Sequence, residues 1–171
     1  YRKDFDFIGN FTLNTFNTFS INTLQRMGIS KITLSPELNL NDIQNICETE
    51  KCHIPLELIV YGNTPVMKMN YCVLGVTNKC YPECKARCQT SNKYYLRDRL
   101  GFNFRILPDN IQTVTTVFNS KITSIQHIDT KINFVRMDFL DESIDEINAI
   151  AKSVFEGTKL EGNQYTYGNI N

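Results

Sequence analysis

The first 62 residues alternate strand-like and helix-like segments, and only short connections separate them. Residues 4–13 alternate phenylalanines with polar residues, whereas 31–34 and 55–61 are short apolar runs, so all three are predicted to form strands. A β-α-β-α-β order with short connections favours parallel strands joined by right-handed helical crossovers. Short apolar strands are expected if helices cover one face of the sheet and a barrel interior lies on the other.

Two helices are predicted between these strands. Asn17 or Ser20 can cap the first helix, because their side-chain oxygens can accept the N–H groups of its first turn. Gly28 then supplies the left-handed residue that ends this helix. Asn39 or Asn41 can cap the second helix, whose apolar positions fall at helical spacing.

The alternation stops after residue 62. A turn around Asp98 and Gly101 separates two extended runs, which predicts a hairpin, and residues 113–118 predict a further extended segment because they are rich in threonine and valine. A structureless loop of this length is improbable in a compact domain. We therefore predict that this segment is an insertion with its own small β-structure.

The strand–helix pattern returns near residue 126. A strand is predicted at 132–137 and a helix at 141–155, with Gly157 just after its end. The apolar stripe of this helix is predicted to consist of Ile144, Ile147, Ile150, Ala151, Val154 and Phe155. A complete (β/α)8 barrel needs about 250 residues, so four units correspond to half of one.

The prediction is therefore an α/β fold in three parts. Residues 1–62 form βαβαβ barrel units, residues 63–125 form a cysteine-rich insertion with a β-hairpin, and residues 126–171 form the last barrel strand, a helix and the tail. The chain begins at Tyr1 and not at a methionine, so we expect a fragment or a processed product.

Four of the six cysteines fall close together, at Cys72, Cys80, Cys84 and Cys88. Clustered thiols in a chain with an ordinary core more often bind metal in a reducing compartment than form disulfides. Zinc takes four tetrahedral thiolates, and an iron–sulfur cluster takes four thiolates with looser spacing. The spacing predicts a zinc or iron–sulfur site. The alternative is a compact loop whose cysteines are reduced or partly disulfide-bonded.

Two carboxylates are candidate catalytic groups. The reactive face of a barrel lies at the C-terminal ends of its strands, and Glu37 follows the second predicted strand. Glu57 lies within the third strand, where a carboxylate facing a barrel interior is costly unless it is paired. The alternatives are a solvated loop for Glu37 and, for Glu57, a structural ion pair with a partner such as Arg136. Three asparagines after the first strand are candidate substrate-binding neighbours: Asn10, Asn14 and Asn17.

Several classes of function lack support. Lysine plus arginine equals aspartate plus glutamate, 18 against 18, so no bulk basic field indicates nucleic-acid binding. A local patch stays open, since Arg97 and Arg99 at the hairpin tip can either contact RNA phosphate or simply be solvated. No apolar run approaches the ~18 residues of a membrane span, and we expect a cytoplasmic protein. No Ser-His-Asp, Cys-His or HExxH pattern indicates a serine-, cysteine- or metalloprotease mechanism.

Four stretches occur in order around the cysteine cluster: GNFTLNTFN at 9–17, ITLSPELNL at 32–40, LELIVYGNTPVM at 56–67 and YYLRDRLGFNF at 94–104. Together they resemble the C-terminal half of the barrel in the collagenase-like peptidase family U32, and the tail QYTYGN resembles the end of that barrel. The resemblance covers nearly the whole chain. It implies the second half of a (β/α)8 TIM-type barrel, with the first half-barrel upstream of Tyr1.

The resemblance also implies a range of activities. Some relatives were named collagenases or proteases, and others are required for hydroxylation of ribosomal or transfer RNA or for oxygen-independent quinone hydroxylation. Several bind an iron–sulfur cluster through four cysteines. The parent protein is therefore expected to be an enzyme with a peptide or RNA substrate, whereas the isolated fragment is expected to be inactive.

The chain departs from the family pattern around its candidate site. Many relatives have a His-Gly pair where this chain has Tyr61-Gly62, and we include Tyr61 among the candidate substrate-binding residues. The cysteines are bunched as C-x7-C-x3-C-x3-C, whereas the last ligand of cluster-binding relatives lies further downstream, and residues 109–118 contain no cysteine. A four-iron cluster is therefore not transferred residue by residue. The alternative function is a non-catalytic, zinc-stapled interaction module.

Half of a barrel leaves two unpaired edge strands, and such edges invite pairing. We therefore predict either self-association, with a homodimer formed through these edges, or a rearranged sheet that residues 113–118 close. The missing N-terminal half-barrel of the parent protein is an expected partner.

Overall fold

The computed structural model describes residues 5–49, 53–77, 79–80, 83–89, 93–125, 131–162 and 164–166. The chain divides into two compact units. The first unit comprises Tyr1–Gly62 and Ile122–Asn171, and the second unit comprises Asn63–Lys121.

The elements follow in chain order. The first unit begins with β1 (Phe7–Gly9), a short 3-10 helix (Phe11–Leu13), α1 (Thr18–Arg26), β2 (Ile29–Thr33), α2 (Leu40–Glu48) and β3 (Leu56–Gly62). The second unit contains β4 (Pro65–Met69), α3 (Leu74–Thr77), a 3-10 helix (Arg87–Gln89), β5 (Tyr94–Arg97), β6 (Asn103–Asp109) and β7 (Val114–Phe118). The first unit then resumes with β8 (Ile122–Ser124), β9 (Phe134–Asp138), α4 (Ile144–Glu156) and β10 (Tyr165–Thr166).

The sheet of the first unit is mostly parallel, which confirms the predicted α/β class. Strands β1, β2, β3 and β9 lie side by side in chain order, and each pairs in parallel with its neighbour. Strand β8 pairs antiparallel with the last residues of β3, and β10 pairs in parallel with β8. Among the described residues, the outer edges of β1 and β9 carry no further strand.

The predicted helix ends are confirmed where local chemistry sets them. Asn17 caps α1 by accepting the Ser20 N–H at 2.9 Å, and Asn39 caps α2 by accepting the Asp42 N–H at 2.9 Å. Helix α4 begins with a reciprocal capping box between Ser143 and Glu146. Gly28 and Gly157 follow α1 and α4 with positive φ angles of 98° and 67°.

Side chains of the central strand β3 alternate between two environments. Leu56, Leu58 and Val60 are buried in the main apolar cluster, together with side chains from α1, α2 and β2. The intervening residues of β3, Glu57, Ile59 and Tyr61, point to the opposite face, because successive strand residues alternate in direction. The candidate carboxylate and the tyrosine therefore share the face that does not pack against the helices.

Three sequence predictions were wrong in detail. The first strand ends at Gly9 and not near Leu13, because Asn10 caps a 3-10 turn and Asn14 adopts a left-handed conformation with φ 51°. Helix α4 starts at Ile144 and not at residue 141, and its predicted apolar stripe does not extend to its ends, since Ile144 and Phe155 are 77% and 80% exposed.

The second unit has its own antiparallel sheet, in the order β4–β7–β6–β5. The predicted hairpin is confirmed, with β5 and β6 paired from Arg97 opposite Asn103 to Tyr94 opposite Ile106. Strand β7 pairs with β4 on one side and β6 on the other, so the predicted closure of the main sheet by residues 113–118 is wrong. One face of this second sheet buries an apolar cluster around Leu74, Ile106 and Val117.

Candidate functional site

A charged network lies on the face of the first sheet that does not pack against helices. Its centre is Glu57, which is buried, with 7% exposure. Lys31 Nζ lies 2.5 Å from Glu57 Oε2, and Thr33 donates a 2.8 Å hydrogen bond to Glu57 Oε1. The parallel register sets Thr33 beside Glu57, so two adjacent strands bring these groups together.

Arg136 on β9 enters the same network from the other side of β3. Its Nη1 lies 3.4 Å from Glu57 Oε1 and donates a 3.1 Å hydrogen bond to Asn10 Oδ1. Its Nη2 donates to Asp138 Oδ2 at 3.1 Å. The guanidinium also lies over the Phe11 ring at 5.7 Å. One arginine thus joins the residue after β1, the second residue of β3 and the last residue of β9.

Glu57 is held as a carboxylate. Burial alone raises the pKa of Glu57, but hydrogen bonds from Lys31 and Thr33 and the charges of Lys31 and Arg136 outweigh it, so the pKa lies below its ordinary value of 4.5. A general base for neutral pH needs a pKa near 7. The geometry therefore bears out the ion-pair interpretation of Glu57, with Lys31 as a partner that the sequence analysis missed. The proposed catalytic role of Glu57 stays a prediction.

Tyr61 lies near the end of β3 and is buried, with 2% exposure. Its hydroxyl donates a 2.9 Å hydrogen bond to Glu142 Oε1, and its ring lies 5.5 Å from that of Phe139. Burial, followed by the hydrogen bond and charge of Glu142, raises the pKa of Tyr61 far above 10.0. Glu142 Oε2 in turn accepts the backbone N–H groups of Leu140 and Asp141. Tyr61 is therefore a neutral phenol that anchors the loop between β9 and α4.

Gly62 allows the ends of β3 and β9 to approach closely. It has a φ of 140°, and a Cβ at this position would lie 2.6 Å from the Asp138 carbonyl oxygen. Residues other than glycine rarely adopt this backbone conformation. Gly62 thereby brings the Tyr61 and Asp138 ends of the two strands together, beside the network.

The remaining predicted polar residues occupy separate places. Asn10 joins the network through Arg136, and it also accepts the Phe11 N–H at 2.9 Å. Asn14 is the left-handed residue at the end of the 3-10 helix, and Asn17 uses its side chain as the cap of α1. Glu37 is exposed in the turn after β2, where its backbone N–H bonds to Ser35 Oγ at 3.3 Å. The structure thus joins only Asn10 of these four to Glu57.

The four clustered cysteines lie in the second unit, and no disulfide joins them in the described part of the structure. Cys72 and Cys88 pack against the apolar cluster of that unit, Cys80 is buried and Cys84 is exposed. Burial raises the pKa of the Cys88 thiol above 9.0, and the charges of Cys72, Cys84 and Cys80 raise it further. The shared apolar cluster places Cys72 and Cys88 in the same part of the second unit.

The donor chemistry fits a thiolate metal centre, because mutual repulsion among thiolates is what a bound cation relieves. Within the described ranges, however, no three His, Cys, Asp or Glu side chains form a group that could hold a metal ion. Zinc and iron–sulfur binding by Cys72, Cys80, Cys84 and Cys88 therefore stays a prediction.

The first unit also contains a half-open cavity of about 240 Å³ near the start of β3. It is lined by Cys47, His53, Ile54, Pro55, Leu56, Lys131 and Asn133. The side-chain carbonyl of Asn133 accepts the Leu56 N–H at 2.9 Å, which helps to shape the cavity wall. The cavity lies at the opposite end of β3 from Tyr61.

The sequence analysis missed three members of the site. Lys31 was assigned only to a strand, although its position two residues before Thr33 places both on one face. Asp138 is the last residue of β9 and pairs with Arg136, whereas Glu142 lies in the loop after β9 and accepts the hydrogen bond of Tyr61. A signal for Asp138 was available, because it directly follows a predicted strand.

The fold and the site define an α/β protein built from parallel βα units, with a thiol-bearing antiparallel segment inserted in the sequence. The model of peptidase family U32 matches residues 4–162, so the chain belongs to this family and the resemblance is confirmed. No curated protein and no solved structure matches the chain. Among the described residues, no helix has both the length and the apolar character needed to cross a membrane.

Proposed function

We propose that this chain is the C-terminal half of the (β/α)8 barrel of a U32-family enzyme that uses a thiolate metal centre. The observation that carries the proposal is the strand order β1–β2–β3–β9, which is parallel and follows the chain without reversal. A doubly wound sheet reverses its strand order at a switch point, whereas a barrel does not. The family match to residues 4–162 supports the same architecture.

In a completed barrel, the network around Glu57 would face the interior. Lys31 and Arg136 balance Glu57 and Asp138, so the network is neutral overall while it presents both cations and carboxylates. Asn10 and Tyr61 lie at the C-terminal ends of their strands, where barrel active sites form. We propose that this end binds substrate and that Glu57 fixes the orientation of Arg136 there. Glu37, exposed after β2, is the proposed catalytic carboxylate of this end.

The metal would be held by Cys72, Cys80, Cys84 and Cys88. The close sequence spacing of the four cysteines, and the packing of Cys72 and Cys88 against one apolar cluster, support this assignment. A bound iron–sulfur cluster supplies electron transfer, whereas zinc supplies structure or Lewis acidity. A cytoplasmic location would keep the four thiols reduced.

The proposed reaction is hydroxylation or a related modification of RNA, and peptide hydrolysis is the second candidate. Hydrolysis needs a nucleophile or an activated water, and the described residues bring no serine or cysteine together with a histidine and a carboxylate in the network. The family name is the observation that favours peptide hydrolysis.

A non-catalytic role is also supported by one specific observation. Cys72 and Cys88 pack against the apolar cluster of the second unit, where a zinc ion would join the cysteine segment to its sheet. The second unit would then be a zinc-stapled interaction module.

Metal analysis of protein purified without oxygen tests these functions. Four iron atoms per chain with a broad visible absorption band support the redox enzyme, and one zinc without colour supports the staple. Cys88→Ser should lose the metal in either case, whereas Cys47→Ser, which alters a cysteine of the first unit, should retain it. Metal-free protein whose four clustered thiols all alkylate rapidly in the folded state would refute the metal centre.

A further inference from the structure

The two units carry opposite charge. Asn63–Lys121 contains nine lysine and arginine residues and three acidic residues, a formal charge of +6. The rest of the chain carries −6, which is why the whole chain is neutral. The zero net charge therefore conceals a strongly basic second unit.

Basic residues lie on the face of the second sheet that is opposite its apolar cluster. Tyr94 and Phe104 pack against that cluster, so the alternate residues Tyr95, Arg97 and Arg105 point the other way. On β4, Met69 packs against the same cluster, so Lys68 points to the outer face. Tyr95, Arg97 and Lys68 are all exposed.

The outer face also carries an ordered aromatic ring. Tyr95 is 52% exposed, and its cross-strand neighbour Arg105 holds its guanidinium 5.7 Å from the ring centroid. Arg105 Nη1 donates to the Tyr94 carbonyl at 3.2 Å and to the Ile106 carbonyl. The arginine is therefore fixed over the ring, and about half of the Tyr95 residue is exposed to solvent.

The hairpin tip extends this basic surface. Arg97 and Arg99 flank Asp98, whose Oδ1 accepts the backbone N–H groups of Leu100 and Phe102, both at 2.9 Å. The carboxylate of Asp98 is thus engaged by backbone N–H groups of its own turn. Both arginines are exposed, and no ion pair joins either one to a carboxylate in the part of the chain that the structure describes.

We propose that the outer face of the second sheet binds single-stranded RNA. The outer-face surface consists of Lys68, Tyr95, Arg97 and Arg105, together with Arg99 at the hairpin tip, and Asp109 of β6 is an acidic residue on the same face. Cationic side chains would contact phosphates, and the ring of Tyr95 would stack on a base. An acidic peptide or a lipid surface would satisfy the charges but would leave the ring without a stacking partner. This inference deepens the proposed RNA-modifying function by placing the RNA contacts, and it does not depend on the metal.

Fluorescence anisotropy with a labelled twelve-nucleotide single-stranded RNA tests the surface in the full chain. Arg97→Gln combined with Arg99→Gln should weaken binding and lower the slope of log affinity against log salt by about 1.4, since each single-strand phosphate contact contributes about 0.7. Tyr95→Leu should weaken RNA binding by about tenfold but leave binding of inorganic polyphosphate unchanged. Arg26→Gln combined with Lys152→Gln removes the same charge from the first unit. This control should change neither the affinity for RNA nor its salt dependence.

Three results would overturn the inference. The arginine variant could bind RNA as the unaltered chain does, or the charge-matched control could lose as much affinity. Poly-glutamate or phosphatidylserine vesicles could bind as tightly as RNA, which would show a general polyanion surface. Metal content measured on the same samples separates the two proposals, because loss of RNA binding with full metal leaves the metal centre intact.

Discussion

Lys31 Nζ lies 2.5 Å from Glu57 Oε2 across the neighbouring parallel strands β2 and β3. The pair is partly buried, with side-chain exposures of 21% and 10%. Arg136 approaches the same carboxylate from β9, so one acidic group is held between cations on the two flanking strands. Removing the carboxylate of Glu57 would leave the charges of Lys31 and Arg136 without their shared partner. Substitution of Glu57 therefore tests how much this network stabilises the sheet.

Glu57→Gln should lower the free energy of unfolding at pH 7 by about 2 kcal/mol, the scale of a lost hydrogen bond to a charged group. Because folding lowers the pKa of Glu57 below 4.5, its stabilisation is fully present above pH 4.5 and is lost as the pH falls through the folded value. Urea unfolding from pH 7 to pH 3 should therefore show a flatter acid limb for the variant.

The matched control for Glu57 is Glu156→Gln, which removes a carboxylate at an exposed helical pair with Lys152 at 3.9 Å. Exposed pairs contribute about 0–1 kcal/mol, so this variant should unfold almost like the unaltered chain. Equal effects of the two substitutions would show that the Glu57 network adds no more stability than an exposed ion pair.

Tyr61→Phe should cost about 1 kcal/mol, because it removes the hydrogen bond to Glu142. The raised pKa predicts a second effect. The stabilisation from the neutral phenol is present below pH 10 and is lost at higher pH, because the unfolded chain ionises there first. Ultraviolet titration of folded protein at pH 11 should detect the same number of ionised phenols in both proteins. One fewer in the variant would show that Tyr61 ionises normally.

Gly62→Ala should destabilise the first unit by about 3 kcal/mol, because it combines an unfavourable φ of 140° with a clash against the Asp138 carbonyl. Gly75→Ala is the control, since a Cβ at Gly75 meets nothing within 4 Å. In thermal unfolding, Gly62→Ala should have a clearly lower melting temperature than Gly75→Ala. An unchanged melting temperature for Gly62→Ala would refute the close approach of β3 and β9.

The chain alone should self-associate, because β1 and β9 expose apolar side chains at the two edges of the sheet. These are Phe7, Ile8, Phe134 and Val135, with exposures between 42% and 57%. Light scattering across a concentration series should show a mass that rises with concentration. A monodisperse monomer at all concentrations would contradict the open-edge prediction.

Local signals in the sequence predicted more of the fold than of the site. The caps at Asn17 and Asn39 depend on residues three positions away, and each was one of two alternatives predicted for its helix. The bond from Tyr61 to Glu142 joins residues 81 positions apart, and it depends on the packing of β3 beside β9. Periodicity does not specify which strands pair or in what register, so Lys31 and Glu142 could not be assigned.

The opposite charges of the two units could not be recognised from the net charge of the sequence. Every charge in the second unit was visible in the sequence, but the sum over the whole chain is zero. Only the boundary at Asn63–Lys121 separates the two opposite totals. The hairpin register then shows that Tyr95 and Arg105 are neighbours, which spacing within one segment could not establish.

We propose that β1, β2, β3 and β9 form half of a barrel, which strands outside this chain would complete. Amide hydrogen exchange of the chain, alone and together with the upstream half of its parent protein, tests this claim most directly. The account predicts slower exchange at the edge strands Phe7–Gly9 and Phe134–Asp138 when both halves are present, with little change in the central strand Leu56–Gly62. Unchanged exchange at both edges in a mixture that forms a stable complex would contradict it.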